Sequence, residues 1–155
     1  MRPVEDEGEE TALAPALPSD AELRSLFGAA RTIAIVGLSS KRHRDSFEIG
    51  EYLRSKGYRI VPVNPKETEV LGQRAYATLD DVPREIEIDV VDVFRRAQDT
   101  PPIAEAAVRR GAKVLWLQDG IVNEDARRIA EAGGLTVIMG ACIRRTKKRL
   151  EGESR

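Results

Sequence analysis

Apolar residues fall along this chain in two alternating rhythms. Short, mainly apolar runs occupy residues 33–36, 58–63, 88–94, 113–117 and 135–139. Between them apolar positions return at helical spacing, as in Phe47, Ile49, Tyr52 and Leu53, then Ile103, Ala106, Ala107 and Val108, then Ala126, Ile129 and Ala130. Runs apolar at consecutive positions suit strands covered on both faces. Five such strands alternating with helices predict an α/β fold with a doubly wound, five-stranded parallel sheet. Right-handed crossovers then give the expected strand order 3-2-1-4-5.

Punctuation supports this reading. Ser19 and Glu22 form a capping-box pattern ahead of a short helix burying Leu23, Leu26 and Phe27. Gly57, Gly111 and Gly133-Gly134 close the later helices. Asn64-Pro65 ends the second strand, because proline cannot donate to a ladder. A turn of helix is expected near 79–82. Asp99 and Asn123 are candidate N-caps, and Pro101 sits in the first turn after Asp99. A last helix is expected over 142–150. Residues 1–18, acidic and then rich in Pro and Ala, are expected to be a flexible tail. Residues 19–150 form the folded domain, with 151–155 as a second tail.

Charge narrows the function classes. The formal net charge is -1, so no global field draws the chain to nucleic acid. Residues 144–155 carry six bases, which suit the dipole of a helix end. The single cysteine, Cys142, excludes an intrachain disulfide and suits a reducing compartment. The acidic N-terminus lacks the basic start of a signal peptide, and no apolar run reaches the ~20 residues of a membrane span. A soluble cytoplasmic protein, bound neither to membrane nor to nucleic acid, is expected.

Candidate chemistry gathers at the expected carboxyl ends of the strands, where ligands bind such sheets. The first ends in Gly37-Leu38-Ser39-Ser40, with Lys41-Arg42-His43-Arg44 before the helix. The second ends in Asn64-Pro65-Lys66, the third in Phe94-Arg95-Arg96, the fourth in Gln118-Asp119-Gly120 and the fifth in Gly140-Ala141-Cys142. Glycine, hydroxyls, free N–H groups and cations at one corner favour a phosphorylated ligand. Gly37 could also be a turn glycine, and Arg42 and Arg44 could be solvated loop charges. Only one glycine of the G-x-G-x-x-G dinucleotide fingerprint is present, and Lys66 stands where an acid would bind a ribose hydroxyl. A ligand with a ribose phosphate suits Lys66 better. His43 reads as an exposed loop residue and Trp116 as core. No Ser/His/Asp set, Cys/His pair or zinc spacing occurs. Asp89 and Asp92 lie on opposite faces of one strand. The residues read as a ligand-binding module rather than an enzyme.

The segments GLSSKRHRDSFEIGEYLRSKGYRIVPVNPK, DVVDVFRR, VLWLQDGIVNEDA and MGAC resemble those of the small stand-alone coenzyme A-binding proteins. These are similar to the coenzyme A-binding domain of the succinyl-coenzyme A synthetase α subunit. The resemblance spans residues 23–150 and implies a Rossmann-like domain binding coenzyme A or acyl-coenzyme A, with an acyl-transfer enzyme as a possible partner. It implies that Gly37, Leu38, Ser39 and Ser40 take the pyrophosphate, with Arg44 and Ser46 nearby. Asn64, Pro65 and Lys66 would approach the phosphorylated ribose. Val93, Phe94, Arg95 and Arg96 would border the adenine, and Gln118 and Gly120 the pantetheine arm. Two alternatives stay open: an NADP-dependent oxidoreductase or its remnant, using Lys66 and Arg95, and a protein-interaction module using the charged tails.

Overall fold

The computed structural model describes residues 17–152. The acidic stretch and residues 153–155 of the two expected tails lie outside them. Helix α1 (Asp20–Ala29) opens with the expected capping box: the Ser19 hydroxyl accepts the Glu22 N–H, and the Glu22 carboxylate accepts the Ser19 N–H. Strand β1 (Thr32–Val36) is buried at every position. It leads to helix α2 (Asp45–Ser55) and strand β2 (Arg59–Val63). A small hairpin follows, β3 (Glu69–Val70) with β4 (Gln73–Arg74), and then a 3₁₀ turn at Leu79–Asp81. Strand β5 (Val90–Val93), helix α3 (Thr100–Arg109), strand β6 (Val114–Leu117), helix α4 (Glu124–Ala132), strand β7 (Thr136–Ile138) and helix α5 (Ile143–Leu150) complete the chain.

The sheet is parallel, five-stranded and packed on both faces. On one face Ala34, Val36, Val61, Val63, Val91, Val93, Leu115 and Leu117 meet Ala104, Ala107, Ala126 and Ala130 of α3 and α4. On the other, Ile33, Ile35, Ile60, Val90, Val114, Trp116 and Ile138 meet Leu23, Phe27, Phe47, Leu53 and Ile143 of α1, α2 and α5. Alternate residues of each strand therefore serve opposite layers. Trp116 is core, as expected: its indole N–H donates to the Ala141 carbonyl at 2.9 Å and its ring leans on Phe27.

The strand order differs from the expected 3-2-1-4-5. Strand β5, third of the five, lies between β1 and β6, giving β2-β1-β5-β6-β7. Two contacts account for this. Tyr76 bridges β2 at Val63, donating to the Pro62 carbonyl and accepting the Asn64 N–H, so the outer edge of β2 is already occupied. On the other side, the Asp89 carboxylate accepts the N–H groups of Arg31 and Thr32, at 2.8 and 3.0 Å. That bond pins the start of β5 beside the start of β1. The order is the flavodoxin-like one, whose switch point lies between strands one and three.

Asn123 caps α4 as expected, accepting the Ala126 N–H at 2.8 Å. Asp99 does not cap α3. A 3₁₀ turn at Ala97–Asp99 runs straight into the helix and leaves Asp99 in a helical conformation, φ −92° and ψ −1°. A capping side chain needs an extended backbone to reach back to the first turn. Asp99 pairs with Arg96 instead, at 3.0 Å.

Candidate functional site

The switch point sets the carboxyl ends of β1 and β5 side by side, and Gly37 is what lets them close. Its φ is +94°, and a Cβ there would stand 2.4 Å from the Phe94 carbonyl oxygen. Glycine is needed at this position to pack the two strand ends, whatever the site binds. The Gly37 N–H donates to the Val63 carbonyl at 2.7 Å, so the ends of β1, β2 and β5 form one floor.

Above that floor lies a cleft of about 1190 Å³. One wall is the first turn and the start of α2: Gly37, Ser39, Ser40, Lys41, Arg44, Asp45 and Ser46. A second is the turn after β2: Asn64, Pro65, Lys66 and Glu67. Phe94 and Arg95 come from the end of β5. The far wall is Thr78, Leu79 and Asp80 with Pro102, Ile103, Ala106 and Arg109 of α3.

Hydrogen bonds fix the two turns against each other. The Ser39 N–H donates to Ser46 Oγ and the Lys41 N–H to Ser39 Oγ, both at 3.0 Å. The Asn64 side-chain amide donates to the Leu38 carbonyl while its Oδ1 accepts the Lys66 N–H, again at 3.0 Å. Ser40 donates its N–H and its hydroxyl to one oxygen of Glu67, at 2.9 and 3.0 Å. The far wall is held from behind by Arg110, whose guanidinium donates to the carbonyls of Leu79, Val82, Pro83 and Ile86.

The cations divide by use. Arg109 pairs with Asp80 at 2.8 Å, and the guanidinium hydrogen-bonded to Asp80 holds its carboxyl below the usual carboxylate range. Arg42 stacks over the Phe47 ring, 5.5 Å from its centroid. Among the described residues, Lys41, Arg44, Lys66 and Arg95 line the cleft with no carboxylate partner. Four unpaired cations around a glycine-opened turn make a corner suited to more than one phosphate. Among the described residues no His, Cys, Asp and Glu group could hold a metal ion, and no helix is long and apolar enough to cross a membrane.

Residues 31–146 match the family described as CoA binding domain. The chain belongs to that family. The uncharacterized protein YneT of Bacillus subtilis is 39% identical over 127 residues, 82% of this chain and 93% of that protein. The solved structure of a hypothetical protein from Pyrococcus horikoshii is 37% identical with a TM-score of 0.83, over 87% of this chain and 94% of that one. The α subunit of an ADP-forming acetate–CoA ligase II from Pyrococcus furiosus is 26% identical over 73% of this chain. The match covers only 27% of that subunit.

In this CoA binding domain the sequence-expected residues separate into two groups. Gly37, Ser39, Ser40, Arg44, Ser46, Asn64, Pro65, Lys66, Phe94 and Arg95 line the cleft together. Leu38, Val93, Arg96, Gln118 and Gly120 do not line it. Leu38 and Val93 are buried, and Leu38 contributes its carbonyl to Asn64. Arg96 is turned to Asp99. Gln118 is buried with its Oε1 accepting the Ile143 N–H at 3.1 Å, which anchors α5. His43 is exposed. Sequence reasoning missed the far wall, Thr78 to Asp80 with Pro102, Ile103, Ala106 and Arg109. The available signal was the pairing of Asp80 with the basic end of α3, which is visible only once β5 is placed next to β1.

Proposed function

We propose that this chain binds coenzyme A or an acyl-coenzyme A in the cleft, as a binding module without chemistry of its own. The observation that carries the reading is the set of four unpaired cations around the Gly37 turn, in a chain of the CoA binding domain family. Coenzyme A carries a pyrophosphate and a separate ribose phosphate, so it can use two cation sets at once. The pyrophosphate is assigned to Gly37–Ser40, Arg44 and Ser46, and the ribose phosphate to Asn64, Pro65 and Lys66. Adenine is assigned to the Phe94–Arg95 edge, with Val93 beneath it and Arg96 beyond. The pantetheine arm is assigned to the side of Gln118 and Gly120, beyond the residues that line the cleft; Gln118 holds α5 in place. Charge-assisted contacts contribute ~1.5–3 kcal/mol each, so four supply about 6–12 kcal/mol against the cost of association. Acyl transfer would fall to a separate enzyme, in keeping with the ligase named among the relatives.

Calorimetry with coenzyme A, dephospho-coenzyme A and NADPH tests this. Coenzyme A should bind with a micromolar dissociation constant. Lys66→Ala should weaken coenzyme A about tenfold, ~1.4 kcal/mol, and leave dephospho-coenzyme A unchanged. Absence of heat with coenzyme A removes the reading. Heat with NADPH alone puts the oxidoreductase reading in its place.

A further inference from the structure

We infer that Glu67 is an internal competitor for the phosphate site, a tethered carboxylate that sets the affinity threshold of the cleft. The inference rests on the coenzyme A reading for its ligand, but its own observation is independent. Both outward donors of Ser40, the N–H at 2.9 Å and the hydroxyl at 3.0 Å, converge on a single oxygen of Glu67. A phosphate oxygen at this strand-to-helix turn would compete for the same two donors. Three N–H groups of the turn are committed elsewhere: Gly37 to the Val63 carbonyl, Ser39 to Ser46 Oγ and Lys41 to Ser39 Oγ. A phosphate that uses the Ser40 donors therefore has to take them from Glu67.

Glu67 is not needed to hold the two turns together. Asn64 already spans them, with its side-chain amide on the Leu38 carbonyl and its Oδ1 on the Lys66 N–H. The Glu67 N–H closes the same turn on the Asn64 carbonyl at 3.1 Å. So the carboxylate rides on the turn that carries Lys66, free to swing out while the turn stays braced. A protein latched nine-tenths of the time binds every ligand of Ser40 about tenfold more weakly than its open form does. The factor is the same for all of them. A ligand anchored at a second point keeps useful affinity after that loss, and a free phosphate does not. The latch thus filters by threshold, admitting multiply phosphorylated nucleotides.

The test uses the full chain with Glu67→Ala, Glu67→Gln and Asp45→Asn. The Asp45→Asn change removes an equal charge from the same cleft without touching Ser40. The probes are coenzyme A, dephospho-coenzyme A and inorganic pyrophosphate, by calorimetry. Glu67→Ala should tighten all three by about the same factor, near ten, with Glu67→Gln between it and the native chain and Asp45→Asn under threefold. If coenzyme A binds the native chain and Glu67→Ala binds it no better, the latch is overturned and the coenzyme A reading stands. An equal gain from Asp45→Asn also overturns the latch, reducing it to bulk charge. If pyrophosphate gains on Glu67→Ala and coenzyme A binds neither protein, the latch stands and the coenzyme A reading falls. Should no probe bind either protein, both fall.

Discussion

Asp92 stands fully buried on β5, in register with Ile35 of β1 and Trp116 of β6, and neither carboxyl oxygen has a hydrogen-bond partner. Burial pushes its pKa well above the ordinary 3.8, so the folded protein keeps this carboxyl protonated where the unfolded chain ionises. The sign of the pH dependence is set by that difference. Below 3.8 both states hold the proton and no stability is lost. As pH rises above 3.8 the unfolded state sheds its proton and is favoured, by up to ~1.4 kcal/mol per pH unit until the folded group also ionises. Asp92→Asn should therefore flatten the decline in unfolding free energy between about pH 4 and pH 7, and Asp92→Leu should raise stability near pH 7. Urea unfolding of the native chain and both variants at the two pH values measures this. If the native chain and the Asp92→Asn variant decline equally with pH, the carboxyl reaches water and the burial argument fails. Gly37 was legible as special at this scale, but not for its full reason. A lone glycine after an apolar strand signals a turn; the Phe94 carbonyl that fills its Cβ position comes from a strand 57 residues on, and local sequence cannot place it.

Helices α3 and α4 lie against each other on one face of the sheet, and their spacing is set by Gly133 at the end of α4. A Cβ on Gly133 would stand 2.6 Å from both methyl groups of Val108 on α3. The Val108 methyls sit directly on its Cβ and cannot swing away, so the helices would have to part. Gly133→Ala should cost about 1–2 kcal/mol through overpacking. In the Val108→Ala background the same substitution should cost nearly nothing, a coupling of about 1 kcal/mol in a urea-denaturation cycle. Additive losses would show that the two helices are not in contact there. Element types were largely readable because caps and periodicity are local: Ser19 and Asn123 cap as their sequence context predicts. Asp99 misled because the turn before α3 is 3₁₀, and no residue of Ala97-Gln98-Asp99 announces that. Half the site was equally local. The Gly37–Ser46 and Asn64–Glu67 walls each belong to a single strand end and the turn that leaves it.

The other half of the site depended on how the whole sheet is ordered. With β5 outside β2, the cleft would have lacked α3 and bordered β6, where Gln118 and Gly120 were expected to take part. With β5 beside β1, the crevice opens between Gly37 and Phe94 and α3 supplies Pro102, Ile103, Ala106 and Arg109. Hydrophobic pattern alone does not distinguish the two orders, because every strand is apolar in both. Tyr76 on the edge of β2 and Asp89 across the start of β1 decide it, and both act over long separations in sequence. The resulting cleft draws on β1, β2, β5, α2 and α3, so a ligand held there ties the sheet to helices on both its faces. Binding should stabilise the molecule as one unit. At about a hundred times the dissociation constant, linkage gives about 2.7 kcal/mol, which for a chain of this size raises Tm by roughly 5–10 °C. Coenzyme A and dephospho-coenzyme A at equal occupancy should give equal shifts, since linkage depends on saturation and not on which phosphate is present. A calorimetric scan should show a single transition moving upward with the logarithm of ligand concentration. A split transition, with one part unmoved by ligand, would mean that the cleft binds to one half of the fold only.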